Sequence, residues 1–231
     1  MLGSADRFLE GFALGMWQAN CYVLGDHARG TAVVVDPGQD AGPTVQACLE
    51  RHNVRAESIL LTHGHLDHVW SAPELAAQLD VQVFLHGDDR WLWDNPVAAF
   101  GNLPPGVLAD QFGLDWRPDA ERLEWLADGM KLTCAGLQVE VHHTPGHTPG
   151  SSVFLLRETG TDDPVLLSGD LIFAGSVGRT DFPRGSFEDQ NESIKRVVLP
   201  LDDATRIFSG HGPETTVGVE RGTNPFVVPL G

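Results

Sequence analysis

Apolar positions along the chain come in short runs, most of them closed by Gly, Asp or Pro. The runs "ANCYVLGD" (19–26) and "TAVVVDPG" (31–38) are rich in β-branched and aromatic residues, which predicts two strands paired as a hairpin. In "AGPTVQACLERHN" (41–53), Val45, Cys48, Leu49 and His52 recur at helical spacing, so a helix is expected. "ESILLT" (57–62) reads as a buried strand. "SAPELAAQLD" (71–80) opens with a capping Ser71 and an early proline, the pattern of a helix start. "VQVFLH" (81–86) is a further strand.

Regular patterning then lapses. Residues 87–130 carry Trp91, Trp93, Trp116 and Trp125 among scattered Pro and Gly, and are expected to be an insertion of short helices and loops, either a lid or a packed appendage, with packing favoured. Beyond it, "KLTCAGLQVEVHHTPG" (131–146) predicts two strands about Gly136, with Leu137, Val139 and Val141 alternating with polar residues. "SSVFLLRE", "PVLLSGD" and "RIFSGHG" supply three more strands, and a helix is expected over 187–201. About nine strands with interspersed helices indicate one α/β domain spanning 1–231.

Composition narrows this only a little. A length of 231 residues suits one large domain or two small ones, at ~100–200 residues per domain. No apolar run approaches the ~20 residues of a membrane span, and Asp6, Arg7 and Glu10 interrupt what a secretion signal needs. The expectation is a cytoplasmic protein with no membrane partner. Cys21, Cys48 and Cys134 are distant and odd in number, hence buried apolar residues and not a disulfide framework. A formal charge of −17, from 15 basic against 32 acidic residues, repels phosphate backbones and argues against a nucleic-acid partner. Oligomeric state is not legible.

Charged and imidazole groups gather in four places. "LLTHGHLDHVW" (60–70) holds His63, His65, Asp67 and His68. "VHHTPGHTPGSS" (141–152) holds His142, His143 and His147, "LLSGDLIF" (166–173) holds Asp170, and "IFSGHGPETT" (207–216) holds His211. A lone histidine in a turn is usually a surface residue, and a lone aspartate after a strand is usually a turn or cap residue. Four such side chains within one short segment are not explained that way. Residues two apart in an extended chain face one side, so His63 and His65 suit a single ion; in a helix they would diverge by ~200°. Asp67 and His68 follow after the chain bends and point to a second position. Each segment repeats one layout: apolar strand, Gly-containing turn, ligand-type side chain. Imidazole and carboxylate are zinc ligands that also take iron or manganese.

The series "THGHLDH", "HTPGHTPGS", "SGD" and "SGHG", in that order, resembles the metallo-β-lactamase superfamily over nearly the whole chain. The resemblance implies an αββα sandwich with a two-metal site at one edge of the facing sheets. It places His63, His65 and His147 on a first metal and Asp67, His68 and His211 on a second, with Asp170 bridging; His142 and His143 are left as strand residues or neighbours of ligands. The implied cofactors are two divalent ions, zinc before iron or manganese. A metal pair activates a bridging water near neutral pH and polarises a carbonyl, so the expected reaction is hydrolysis at an acyl carbon by a metal-bridging hydroxide, with Asp67 handling a proton. A thiolate, with a pKa of ~8.5, leaves without protonation.

"GDLIFAGSVGRTDFP" and "GHGPETTVGVERGTNPFV" look like single-domain bacterial glyoxalase II-type proteins, which hydrolyse thioesters such as S-lactoylglutathione. Arg179 stands where those enzymes carry a basic residue against the glutathione carboxylate. Asp181 stands where a tyrosine is frequent, which leaves the thiol carrier open. The alternatives are a mononuclear-iron persulfide dioxygenase, which shares a "GRTDF" segment, a lactonase on the same fold, and a non-catalytic metal-binding protein. The three cysteines lie outside all four segments, unlike the cysteine ligand frequent in secreted zinc β-lactamases. The chain has no G-x-S-x-G elbow, H-E-x-x-H pair or P-loop.

Overall fold

Two six-stranded sheets lie face to face, with helices against both outer surfaces. The computed structural model describes residues 6–101, 106–157 and 164–231. The first sheet is β1 (Arg7–Leu14), β2 (Ala19–Asp26), β3 (Thr31–Val35), β4 (Arg55–Leu60), β5 (Gln82–His86) and β6 (Leu123–Leu126), in that spatial order. Its first three strands are antiparallel, and β3 to β6 run parallel. The second sheet comprises β7 (Lys131–Cys134), β8 (Leu137–His143), β9 (Ser152–Leu156) and β10 (Val165–Gly169), followed, after a short ribbon of β11 (Ile172–Phe173) and β12 (Ser176–Val177), by β13 (Arg206–Ser209) and β14 (Thr215–Thr216). Strand β10 pairs with β13 in parallel.

Strand periodicity builds three layers of core. Along β2, Tyr22 and Leu24 point between the sheets, where they meet Val141, Phe154, Leu167 and Phe208. Cys21 and Val23, one residue out of phase, point the other way. They pack with Val45 and Cys48 of α1 (Ala41–His52) and with Leu75 of α3 (Ala72–Leu79). On the far side, Val153, Leu155 and Leu166 pack under Ile194 and Val198, in the π-helical turn that continues α6 (Phe187–Ser193). The result is the expected αββα sandwich. No described helix is long and apolar enough to cross a membrane.

The structure departs from the sequence reading at several places, among them the two-residue strands β11, β12 and β14, too short to show an alternating pattern. The segment 87–130, expected to be helices and loops, does contain α4 (Arg90–Asp94) and α5 (Val107–Phe112), but it also supplies β6, the edge strand of the first sheet; residues 102–105 of it lie outside the described residues. Two of its tryptophans pack, Trp93 buried and Trp116 edge-on to it at 5.4 Å and donating to the Trp93 carbonyl at 2.8 Å, whereas Trp125 is exposed. Strand β1 was not signalled, because this edge strand is mostly half-exposed and the polar Glu10 and flexible Gly11 break its alternation. Ser71 does not cap α3 with its side chain; its hydroxyl donates to the Gly38 carbonyl at 2.7 Å.

This architecture sets up one edge. Strands β4, β10 and β13 end there, followed directly by "THGHLDH", Asp170 and "GHG". The two sheets are stitched at that edge, where Asn20 donates from its backbone to Gly210 at 2.7 Å and from its side chain to Ser209 at 2.9 Å, and Tyr22 donates to Ser209 at 2.7 Å.

Candidate metal centre

All seven residues singled out as ligands converge on that edge. His63, His65 and His147 present donor atoms within 4.8 Å of one another, and so do Asp67, His68 and His211. Asp170 lies between the two groups: its carboxylate is 3.4 Å from Nε2 of both His68 and His147 and 3.7 Å from Nε2 of His211. Asp67 and His68 belong to the one-turn helix α2 (Leu66–Val69), which starts immediately after His65 and brings the His68 ring to 4.2 Å from that of His63. His142 and His143 lie apart from the cluster, on β8, where His143 stacks on His86 at 3.8 Å.

The imidazoles are aimed by their outer nitrogens. His147 Nδ1 donates to the carbonyl of Arg179 at 2.6 Å, which leaves its Nε2 lone pair facing the cluster. His68 Nδ1 donates to Asp36 at 3.0 Å. Thr62 donates its hydroxyl to Asp36 at 2.6 Å and lies 3.1 Å from His63 Nδ1, so it accepts from that ring. Nε2 of His63 is then left buried with no hydrogen-bond partner, as is Oδ1 of Asp170. Nδ1 of His65 and Nε2 of His147 stand 2.8 Å apart. Buried polar atoms without partners are rare in folded proteins. Two of them within one cluster of imidazoles and carboxylates mark cation donors, and this donor set fits a pair of divalent ions.

Electrostatics agree. Burial, reinforced by neighbouring imidazoles, pushes His63 and His65 well below the ordinary histidine range, so they keep ligand-competent lone pairs. Burial works against charge on His68, but Asp67, Asp170 and Asp36 push it up to about 10. Burial also opposes charge on Asp67, yet His68 and His211 hold its carboxyl well below the usual range. Around His68 the carboxylates of Asp67, Asp170 and Asp36 together favour positive charge.

Two residues that hold the site carry no motif. Asp36 accepts from the Thr62 backbone at 2.8 Å as well as from Thr62 Oγ1 and His68. Asp89 is wholly buried and accepts from the backbone of Gly64 and of Gly150, each at 2.8 Å, and from the Thr148 hydroxyl at 2.7 Å. It clamps the loop of His63 and His65 to the loop of His147. Asp36 closes the run "VVVDPG" and shares the layout strand, acid, glycine, a signal that could have found it; "HGDD" offers none for Asp89.

A cavity of about 370 Å³ opens over the cluster, walled by Trp17, Phe100, Phe173 and Phe182, with Arg179 on its rim. Larger surface hollows of about 620 and 870 Å³ are lined by no histidine. Phe100 comes from the 87–130 segment, so that insertion forms part of the cavity wall.

Residues 14–211 match the model of the Metallo-beta-lactamase superfamily. The chain is 37% identical over 217 residues to the hydroxyacylglutathione hydrolase GloC of Haemophilus influenzae, covering 91% of this chain and 93% of that one. Among solved structures, it is similar to BLEG-1, a B3 metallo-beta-lactamase (TM-score 0.77, 32% identity, 95% of this chain and 99% of that one). It is also similar to TTHA1623 in a di-iron-bound form (TM-score 0.75, 34% identity, 94% and 99%).

Proposed function

Because the chain belongs to the metallo-β-lactamase superfamily, as a metallo-hydrolase with a His-rich metal site, we propose that it is a dinuclear thioester hydrolase acting on S-acyl thiols of the S-lactoylglutathione kind. The observation that carries this reading is the meeting of two three-residue donor groups across Asp170. His63, His65 and His147 would hold one ion, Asp67, His68 and His211 the other, and Asp170 both; zinc is the ion we propose. Two divalent ions supply Lewis acidity and an activated water at neutral pH.

The chain's own residues do the rest. Asp67 lines the cavity, 3.2 Å from His211, so it is placed to hold a proton at its Oδ2 during acyl transfer. Phe182 stands edge-on to His65 at 5.1 Å and, with Phe100 and Phe173, excludes water from the acyl side. The likeness to GloC supports a thioester over the β-lactam suggested by BLEG-1. A mononuclear-iron dioxygenase would leave some of Asp67, His68 and His211 unused, yet here they gather as tightly as the first group.

The test is a substrate panel on one metal-loaded preparation: an S-lactoyl thioester, an aliphatic lactone, a penicillin and glutathione persulfide. The thioester is expected to turn over fastest, with activity abolished by a chelator. Oxygen uptake with the persulfide and no hydrolysis would overturn the proposal.

A further inference from the structure

Among the described residues lining the cavity, Arg179 is the single lysine or arginine. Its main chain is anchored to the metal centre through the His147 hydrogen bond. Its side chain is occupied: Nε and Nη2 donate to the two carboxylate oxygens of Asp181, each at 2.6 Å, in a bidentate fork. The guanidinium also lies 4.3 Å from the ring centre of Phe182, which is itself part of the cavity wall. Cation and anion thus cancel at the one place on the rim where an anionic substrate group could be recognised. A carboxylate reaching the remaining guanidinium face would sit beside Asp181, and the repulsion between the two would offset the attraction. The rest of the rim offers aromatic faces, and the chain as a whole carries −17.

We infer that the thiol portion of the substrate carries no carboxylate at this rim, and that Asp181 determines this specificity by neutralising Arg179. The inference rests on the thioester-hydrolase reading and names its substrate class: thioesters of uncharged, polar thiols, in preference to those of acidic peptide thiols. Aromatic walls suit such a carrier because they bind uncharged groups by apolar contact and need no counter-ion.

The experiment compares two thioesters that differ in one group, S-lactoyl-N-acetylcysteine and its N-methylamide, with metal-loaded wild type, Asp181→Asn, and Asp181→Asn combined with Arg179→Gln. Binding of the matching non-hydrolysable S-alkyl thioethers is measured by calorimetry on the same samples. Wild type is expected to favour the amide in kcat/KM and in binding. Asp181→Asn, which keeps the shape and removes the charge, should shift both ratios toward the carboxylate by ~2- to 5-fold, the scale of an exposed ion pair. Removing Arg179 as well should abolish that gain. A wild-type preference for the carboxylate, or ratios that Asp181→Asn leaves within ~2-fold, overturns the inference and leaves the hydrolase reading standing. Hydrolysis of neither thioester, with the binding preference and its Asp181 dependence intact, overturns the hydrolase reading and supports the charge assignment of the rim.

Discussion

Nδ1 of His68 donates to Oδ2 of Asp36 across 3.0 Å, and both side chains are buried. Asp36 thereby sets the direction in which His68 presents Nε2, although it reaches no part of the cavity. Partners of this kind typically contribute 10–100-fold to metal affinity. Asp36→Ala is expected to weaken one of two metal equivalents by about 10–100-fold, read by competition with a chromophoric chelator. Asp36→Asn should recover part of the loss, since asparagine tolerates the left-handed backbone at this position (φ 49°) and keeps an acceptor. Unchanged binding of both equivalents in Asp36→Ala would remove Asp36 from the site.

Asp89 acts on loops and not on a ligand. Replacing it by alanine leaves the backbone N–H groups of Gly64 and Gly150 buried without an acceptor. At ~1–3 kcal/mol for each of the two orphaned donors, Asp89→Ala is expected to lower stability by about 2–6 kcal/mol, measured by urea unfolding of the metal-free protein. Asp89→Asn should rescue it only partly, because one end of the amide donates where the carboxylate accepted from Gly64, Gly150 and Thr148.

What was and was not legible in the sequence follows from distance along the chain. His63, His65, Asp67 and His68 declare themselves because strand, turn and helix place them locally; the repeated strand–turn–ligand layout extends the reading to Asp170, His211 and the histidines of 141–152, among which the family resemblance selects His147. Asp36 and Asp89 act on partners 32 and 25 residues away, a pairing that only the folded sheets create. Arg179 was visible as a rim cation, but its fork with Asp181 depends on the loop conformation that also carries its carbonyl to His147. Strand β6 escaped notice because Glu124 and Trp125 are exposed at the sheet edge and only Leu126 is buried, so it lacks the apolar run of a buried strand.

The glycine before His211 is a steric requirement. A Cβ on Gly210 would stand 2.1 Å from Asp170 Oδ1 and 2.7 Å from His68 Cε1. Gly210→Ala must therefore displace two members of the cluster. We expect hydrolytic activity to fall by roughly 100-fold or more, as for other ~1 Å misplacements of reacting groups, with metal content reduced in parallel. Gly222, in α7 (Val217–Thr223), is the control: a Cβ there meets nothing within 4 Å. Gly222→Ala is expected to keep full activity and raise stability by about 0.5–1 kcal/mol.

Away from the site, Glu10 of β1 joins the last turn of α1. It accepts from Arg51 at 2.6 Å and from His52 at 2.5 Å. Burial opposes its charge, but these two partners hold its carboxyl below the ordinary value. A depressed folded-state pKa stabilises the protein above the unfolded-state pKa of ~4.3, and that contribution is lost as the pH falls through the folded value. The stability difference between wild type and Glu10→Gln is expected to be about 1 kcal/mol at pH 7. It should shrink only once the pH falls below ~4.3. Urea titrations of both proteins at a series of pH values check this; a difference that grows on acidification would reverse the sign of the assignment.

The central claim is that two donor groups serve two ions and one reaction. It is tested most directly by counting metal per folded chain in the same preparation whose hydrolysis of S-lactoyl thioesters is measured. The account predicts about two divalent ions per chain, turnover lost on chelation, and turnover restored in proportion to re-added metal up to the second equivalent. One iron per chain, no thioester hydrolysis, and oxygen uptake with glutathione persulfide would contradict it.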